Sequence, residues 1–229
     1  MRKKALIVIG LLVAFFVVTG CSSKPEKSLL SRYFNAVQLN DNDTMSSMAL
    51  EPFQPELGSW EIVSIGPEQV QPAVLPDLNK TEIEAKKAQD AQIGPTIDAD
   101  TALKDAQDEK DLARSAAGKA AAQRKIDEAQ AKYDAEYKKM TELKKAYTEA
   151  KTAAAGEEAV TLFSLGLREL ATVRELQGNV HSKDVVVRIT TRGGQPKDYR
   201  LPMRMYQLVA QPTNLGRGRW VIIRFEPVS

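Results

Sequence analysis

The two residue types that most often supply nucleophiles, general bases and metal ligands occur once each in this chain, as Cys21 and His181. A Ser–His–Asp triad or a histidine-based metal site would depend on His181 alone, in a segment predicted to be a loop entering a strand. Without further Cys or His, a transition-metal site would have to rest on carboxylates, an unusual ligand set for Zn²⁺. We therefore predict a non-enzymatic protein with no metal and no cofactor.

Two glycine-rich turns and two groups of carboxylates complete the set of candidate ligand sites. Gly193-Gly194 and Gly216-Arg217-Gly218 lack the length, the Lys-Ser/Thr pair and the strand-to-helix context of a phosphate-binding loop, so we interpret them as hairpin turns. The acidic residues of 98–100 and 108–111 lie on a predicted helix and face different directions. They do not form the contiguous oxygen cage that Ca²⁺ requires.

The beginning of the chain has the form of a secretion signal, with basic residues at 2–4 and an apolar run from Ala5 to Val18. The next residues, Val18-Thr19-Gly20-Cys21, resemble the lipobox of bacterial lipoproteins, in which small residues precede an invariant cysteine. The resemblance implies diacylglycerol on the Cys21 thiol, cleavage before Cys21 and acylation of the new amino terminus. The alternative is an uncleaved transmembrane anchor, for which the apolar run is short.

Lipidation also accounts for a single cysteine in an exported chain, because Cys21 has no partner for an internal disulfide. Two or three acyl chains give firm membrane anchoring. By analogy with the family, Ser22 in place of Asp favours the outer over the inner membrane of a Gram-negative cell. We expect a periplasmic mature part, a membrane lipid as the first partner, and no nucleic acid.

The C-terminal region is basic, with nine Lys or Arg and three Asp or Glu from Asn179 onward, although the formal net charge of the whole chain is +2. Strand alternation places Arg188, Arg200 and Arg204 on one side of two predicted strands. These arginines are a candidate patch for an anionic lipid headgroup or an acidic protein. The alternative is a solvated sheet face that is balanced by acidic residues of the first half of the chain.

Apolar side chains of the same strands are candidates for a pocket. Tyr199, Met203 and Met205 alternate on one strand face, and Trp220 opens the last predicted strand. They would line a site for a lipid or small molecule, or they would simply form the core.

Residues 79–177 predict a helical coiled-coil insertion, since Ala, Lys, Glu, Asp and Gln dominate them. Within this insertion, residues spaced alternately three and four apart predict a helix–helix seam. The seam residues are Ile126, Ala129, Tyr133, Glu136, Met140, Leu143, Tyr147, Ala150 and Ala154. A similar series from Ala99 to Ala120 does not join it in phase across Gly118. A stutter, a kink and a reversal of the chain each explain the mismatch, and the seam could pair within one chain or between two.

Prolines and glycines predict the helix boundaries of the insertion. Asn79 or Thr81 caps the start, and Ile93-Gly94-Pro95-Thr96 predicts a break. Gly156 predicts a kink, followed by a leucine-rich helix over 157–177 that Gly178 ends.

The flanking segments 28–78 and 178–229 predict one discontinuous α+β domain behind a polar tether at 21–27. A helix starts at Ser28, Asn40–Asp43 forms a turn, and a second short helix follows. The predicted strands are Trp60–Ile65, Lys183–Thr191, Lys197–Ala210, where Pro202 indicates an edge strand or a bulge, and Arg219–Pro227.

A leading helix on an antiparallel sheet that closes with Gly-Arg-Trp-Val-Ile-Ile resembles the cystatin-like fold of the nuclear transport factor 2 superfamily. The resemblance implies a cone-shaped pocket, which the helical insertion would cover or plug. The leading hypothesis is a structural or interaction lipoprotein whose arm acts as a spacer or as a docking surface. The arm would bind either a protein partner or a second copy of the chain. The alternative is a binding module with a pocket in the α+β domain.

Overall fold

The computed structural model describes residues 25–209 and 216–228, and it is an α+β structure as the sequence predicts. Helices α1 and α2 precede the sheet, and a long helical hairpin is inserted between its second and third strands. The helices are α1 (Pro25–Leu39), α2 (Asn42–Ser46), α3 (Leu75–Leu112) and α4 (Ala116–Leu165). The strands are β1 (Leu57–Ile65), β2 (Gln69–Pro72), β3 (Gln177–Thr191), β4 (Lys197–Val209), β5 (Val221–Ile222) and β6 (Glu226–Pro227).

The two long strands β3 and β4 form the centre of an antiparallel sheet with the order β1-β3-β4-β5. Strand β2 pairs with β3 beyond the end of β1, and β6 pairs with β4 beyond β5. The β3–β4 register is continuous from Gln177↔Val209 to Ile189↔Lys197. Pro202 therefore causes no bulge against β3, and the irregularity that a proline predicts lies on the other side of β4, where pairing with β5 and β6 is interrupted. Pro202 lies where β5 gives way to β6, and its carbonyl accepts a hydrogen bond from the Ile223 N–H at 2.9 Å.

The two faces of the sheet are covered by different helices. On the inner face, Val185, Val187, Leu201 and Met203 are fully buried against α1. On the outer face, at the other end of β3 and β4, Val180, Tyr206 and Leu208 pack against α3, α4 and a 3-10 turn at Val173–Glu175. The sheet thus joins two hydrophobic cores, one under α1 and one at the base of the hairpin.

The long helices form an antiparallel hairpin, here called the arm, whose chain reverses between Leu112 and Ala116. Of the three explanations for the broken heptad register, the structure shows the chain reversal. The seam residues of α4 therefore pack against α3 of the same chain. Each predicted seam residue from Ile126 to Ala154 is less exposed than its neighbours. Ser115 caps α4, because its side chain accepts a hydrogen bond from the Gly118 N–H at 3.0 Å.

The predicted break at 93–96 is wrong, since α3 continues through Pro95. A proline in a helix interior destabilises the helix by about 3 kcal/mol, so packing contacts must stabilise α3 on both sides of Pro95. The α3 seam continues on both sides of the proline with Ala85, Gln92 and Ala99. The predicted start at Asn79 or Thr81 is also too late. The helix begins at Leu75 with Pro76 in its first turn, where a missing N–H has no consequence.

The predicted helix over 157–177 is wrong as well, because α4 runs through Gly156 without a break and ends at Leu165. Gly166 has a φ of +70° and the Leu167 N–H donates to the Leu162 carbonyl at 3.0 Å, which is a glycine-terminated helix end. Gly178 instead lies in β3, where a side chain would meet the Gln207 carbonyl oxygen. Glycine is needed at this position because the backbone of β4 lies close to it, and not because a helix ends there.

The leading helix begins earlier than predicted, at Pro25, so residues 25–27 belong to α1 and not to the tether. The predicted closing strand over 219–227 is divided into β5 and β6. Among the described residues, no helix is both long and apolar enough to cross a bilayer.

Candidate functional site

The first turn of α1 is held to the sheet by a group of charges that is buried at Glu26 and Lys183 and open to solvent at Glu68, here called the α1 charge cluster. Its members are Glu26, Glu68, His181 and Lys183. The Lys183 ammonium donates to a carboxylate oxygen of Glu26 and lies 3.1 Å from Oε2 of Glu68. The His181 Nδ1–H donates to Oε1 of Glu68 at 2.6 Å. Along the chain, Glu26 is five residues after Cys21, the predicted lipidation site.

The environment of the α1 charge cluster favours the charged forms of Lys183 and Glu68. Glu26 and Lys183 are 3% and 9% exposed, and the Lys183 ammonium lies 4.3 Å from the centre of the Trp220 ring. Burial lowers the pKa of Lys183, but hydrogen bonds to Glu26 and Glu68 outweigh it and raise that pKa above its ordinary value. Hydrogen bonds from His181 and Lys183 lower the pKa of Glu68. The contacts of Lys183 and Glu68 therefore join α1, β3 and the segment before β2.

A second group of polar contacts fixes the root of the arm, which we define as Glu157–Leu165 of α4 with its neighbours on the sheet. The Tyr206 hydroxyl donates to Oε1 of Glu157 at 2.6 Å, and Arg204 Nη1 donates to Oε2 of the same carboxylate at 2.8 Å. Tyr206 is fully buried, and this burial, with the neighbouring carboxylate, raises its pKa. The root is thus bound to β4 by charge-assisted hydrogen bonds.

Two further contacts at the root tie α4 to other segments. Arg174, in the 3-10 turn, bridges Oε2 of Glu158 and Oε2 of Glu82, each at 2.7 Å, and so connects both helices of the arm. Ser164 accepts a hydrogen bond from the Tyr206 N–H at 3.1 Å and donates to the Arg219 carbonyl at 2.8 Å. Because strands, turn and both helices share these contacts, the arm is rigidly joined to the sheet.

The predicted arginine patch lies on the outer face of β3 and β4, and its charges are paired with acidic residues. Arg188 binds Asp198 at 2.8 Å and Glu61 at 3.3 Å. Arg200 binds Glu226, and Arg204 belongs to the root of the arm. The sheet face is balanced mainly by Asp198 and Glu226 of the same C-terminal region, with Glu61 from the first half of the chain. The role in binding an anionic partner stays a prediction.

The predicted pocket residues lie together in the core under α1. Met203, Met205 and Trp220 are 0%, 2% and 7% exposed, and Tyr199 packs edge-on against Phe53. This matches the core interpretation of the four residues. A cleft of ≈ 340 Å³ lies elsewhere, between α1, α2 and the segment before β1, and none of the four residues lines it.

The predicted lipidation site, Cys21, lies outside the described residues. Among residues 25–209 and 216–228, no three His, Cys, Asp or Glu side chains form a group that could hold a metal ion. No protein-family model, no curated protein and no solved structure matches the chain. The lipoprotein resemblance and the cystatin-like resemblance therefore stay predictions.

Sequence reasoning missed both polar groups. Glu26 was assigned to a tether, and Glu157 to the start of a separate helix. One signal for the α1 charge cluster was available, since Lys183 alternates in phase with Val185, Val187 and Ile189. A lysine at a core-facing strand position requires a buried acidic partner.

Proposed function

We propose that this chain is a non-enzymatic lipoprotein of the bacterial envelope whose rigid arm serves as a spacer or docking surface. The signal sequence and lipobox support the membrane anchor. The position of α1 supports it further, because Pro25 of this helix is only four residues after Cys21. So short a connection would hold the domain close to the membrane surface, outside the cytoplasm and, by the family analogy of Ser22, at the outer membrane.

The observation that carries the docking role is the combination of a long exposed arm with a fixed root. Helix α3 has 38 residues and is therefore about 57 Å long. Its packing partner over this length is α4, and the contacts of Arg174 and Glu157 fix its orientation. A surface that is already ordered loses less conformational freedom when a partner binds, which favours association.

Lipidation is tested by growing cells with labelled palmitate and recovering the protein from the membrane fraction. We expect label in the wild-type chain and none in Cys21→Ala, which should retain its uncleaved signal. A wild-type chain without label would contradict the lipoprotein assignment. A labelled Cys21→Ala chain would contradict the assignment of the site.

The role of the arm is tested by replacing residues 80–152 with a short Gly-Ser linker. This excision keeps Leu75 and the root of the arm, so we expect the domain to unfold cooperatively, as followed by the fluorescence of Trp60 and Trp220. In cells, the shortened protein should remain lipidated but lose its protein contacts. Unchanged contacts would show that the arm is not the docking element.

A further inference from the structure

A solvent-exposed face of α3, flanking its seam with α4, carries a second row of regularly spaced residues, here called the outer stripe. Successive members lie three or four positions apart, so they share one helix face. The outer stripe consists of Ile83, Lys86, Asp90, Ile93, Ile97, Thr101, Lys104, Asp108 and Leu112, all of them exposed.

The aliphatic members of the outer stripe are unusually open to solvent. Ile83, Ile93, Ile97 and Leu112 are 60%, 44%, 58% and 80% exposed. Single exposed aliphatic residues are normal on protein surfaces, but four on one helix face form the pattern of a helix–helix seam. On α4, the large apolar side chain with comparable exposure is Tyr137, at 55%. The arm therefore has one outer face suited to a further helix, and that face belongs to α3.

The order of charges along the outer stripe indicates which helix fits it. Lys86 and Asp90 lie before the central Ile97, and Lys104 and Asp108 lie after it. If two copies of α3 pack antiparallel about a two-fold axis at Ile97, Lys86 of one copy faces Asp108 of the other, and Asp90 faces Lys104. In a parallel arrangement in register, each charge would face its own copy, which is repulsive.

We propose that the outer stripe is a homotypic docking surface on which a second copy of this chain packs its own α3 in the antiparallel direction. The inference rests on the proposed docking role of the arm and names its partner. Two Ile97 side chains meet at the axis, and Ile93 meets Thr101 on either side. By symmetry, the two charge contacts give four ion pairs between the copies.

The contacts that the charged residues of the outer stripe already make are weak. The Lys86 ammonium lies 6.0 Å from the centre of the Tyr147 ring of α4, at the outer limit of a cation–π contact. Within one chain, Lys86 binds Asp90 at 2.7 Å and Lys104 binds Asp100 at 2.5 Å. Both are exposed pairs within one helix, which contribute little to stability. Residues 83–111 of each helix would overlap, a length of about 42 Å.

The geometry also orients the arm on the membrane. When both copies are anchored in one leaflet, the two-fold axis must follow the membrane normal. Since this axis is perpendicular to two antiparallel helices, α3 lies along the membrane surface. The few aliphatic residues give a weak contact, and anchoring on a common surface raises the effective concentration enough to occupy it.

Disulfide trapping in native membranes tests the register. Each variant is the full-length chain with one cysteine added, and the wild-type chain controls for any contribution of Cys21. We expect oxidation to produce dimers of Ile97→Cys but not of Ile83→Cys or Leu112→Cys alone. Coexpression of Ile83→Cys with Leu112→Cys should produce the mixed dimer, because Leu112 lies one residue beyond the position that faces Ile83 in the antiparallel register.

Charge reversal provides the matched control. In the Ile97→Cys background, Lys86→Asp replaces two ion pairs of the dimer by like-charge contacts, so we expect roughly tenfold less dimer. Adding Asp108→Lys should restore the original yield, since the reversed charges are again opposite.

The outcomes separate this inference from the proposed function. Self-dimers of all three single-cysteine variants would overturn the antiparallel register. Absence of dimers, together with adducts to a different protein from photoreactive probes on the arm, would overturn homotypic docking and leave the docking role intact. Absence of adducts of either kind would overturn both.

Discussion

Replacing Lys183 by methionine should destabilise the domain more than any exposed substitution. Methionine keeps the length and the contact with Trp220 but removes the charge, and Glu26 is then a buried carboxylate without its partner. One carboxylate oxygen, Oε2, already has no hydrogen-bond partner in the described structure. Removal of one member of a buried ion pair costs about 3–5 kcal/mol. In a chain of this size, each kcal/mol lowers the unfolding midpoint by about 2–4 °C, so we expect a decrease of roughly 6–20 °C.

The assay is thermal unfolding of the detergent-solubilised protein, followed by tryptophan fluorescence. The two tryptophans, Trp60 and Trp220, both lie in the α+β domain, so the signal reports this domain and not the arm. Lys197→Met is the matched control, because Lys197 is exposed on β4 and should shift the midpoint little. The double variant of Lys183→Met with Glu26→Leu replaces the pair by apolar groups and should recover most of the loss.

Two results would refute this reasoning. If Lys183→Met lowers the free energy of unfolding by less than about 1 kcal/mol, the Glu26–Lys183 pair contributes no more than an exposed ion pair does. A double variant that is as unstable as the sum of the single variants would show that Glu26 and Lys183 act independently.

Three further predictions concern the arm, its root and the pH dependence. Pro95→Ala should stabilise the arm by up to about 3 kcal/mol, because the interior proline has no N–H to donate. The measurement is thermal unfolding of the arm followed by far-ultraviolet circular dichroism, and a lower unfolding midpoint would contradict the seam described for α3. Tyr206→Phe should cost about 1.5–3 kcal/mol, since it removes a buried hydrogen bond to the Glu157 carboxylate, and an unchanged fluorescence midpoint would show that this bond does not hold the root. The pKa of Glu68 is below its ordinary value of 4.5, so its contribution is present above pH 4.5 and is lost as the pH falls below it. Glu68→Gln should therefore flatten the acid limb of a stability–pH profile, and an unaltered limb would count against this assignment.

The sequence predicted the arm seam well because helix periodicity is a local property. Residues from Ile126 to Ala154 needed only their own spacing to be placed on one face, and the structure confirms it. The α+β class and the alternation of β3 and β4 followed from the same kind of local pattern. Pro95 misled the prediction, because the local cost of a proline is visible in sequence whereas the packing of α3 along α4 that outweighs it is not.

The clusters that fix α1 and the root of the arm depend on distant contacts, which periodicity cannot reveal. Glu26 and Lys183 are 157 residues apart, and Glu157 and Tyr206 are 49 apart. The leucine-rich stretch after Gly156 was read as one helix because its apolar residues are closely spaced. In the structure these residues fill one core from two segments, before Gly166 and around Val173.

The central claim is that a lipid-anchored domain presents its arm to another protein. The most direct test places photoreactive residues at Lys104, Lys125, Lys139 and Lys151 of the full-length chain in the native cell, with Lys197 on the sheet as the comparison. The account predicts discrete protein adducts from arm positions, with self-adducts strongest at Lys104 on the outer stripe. Adducts from Lys197 alone, with none from any arm position, would contradict it.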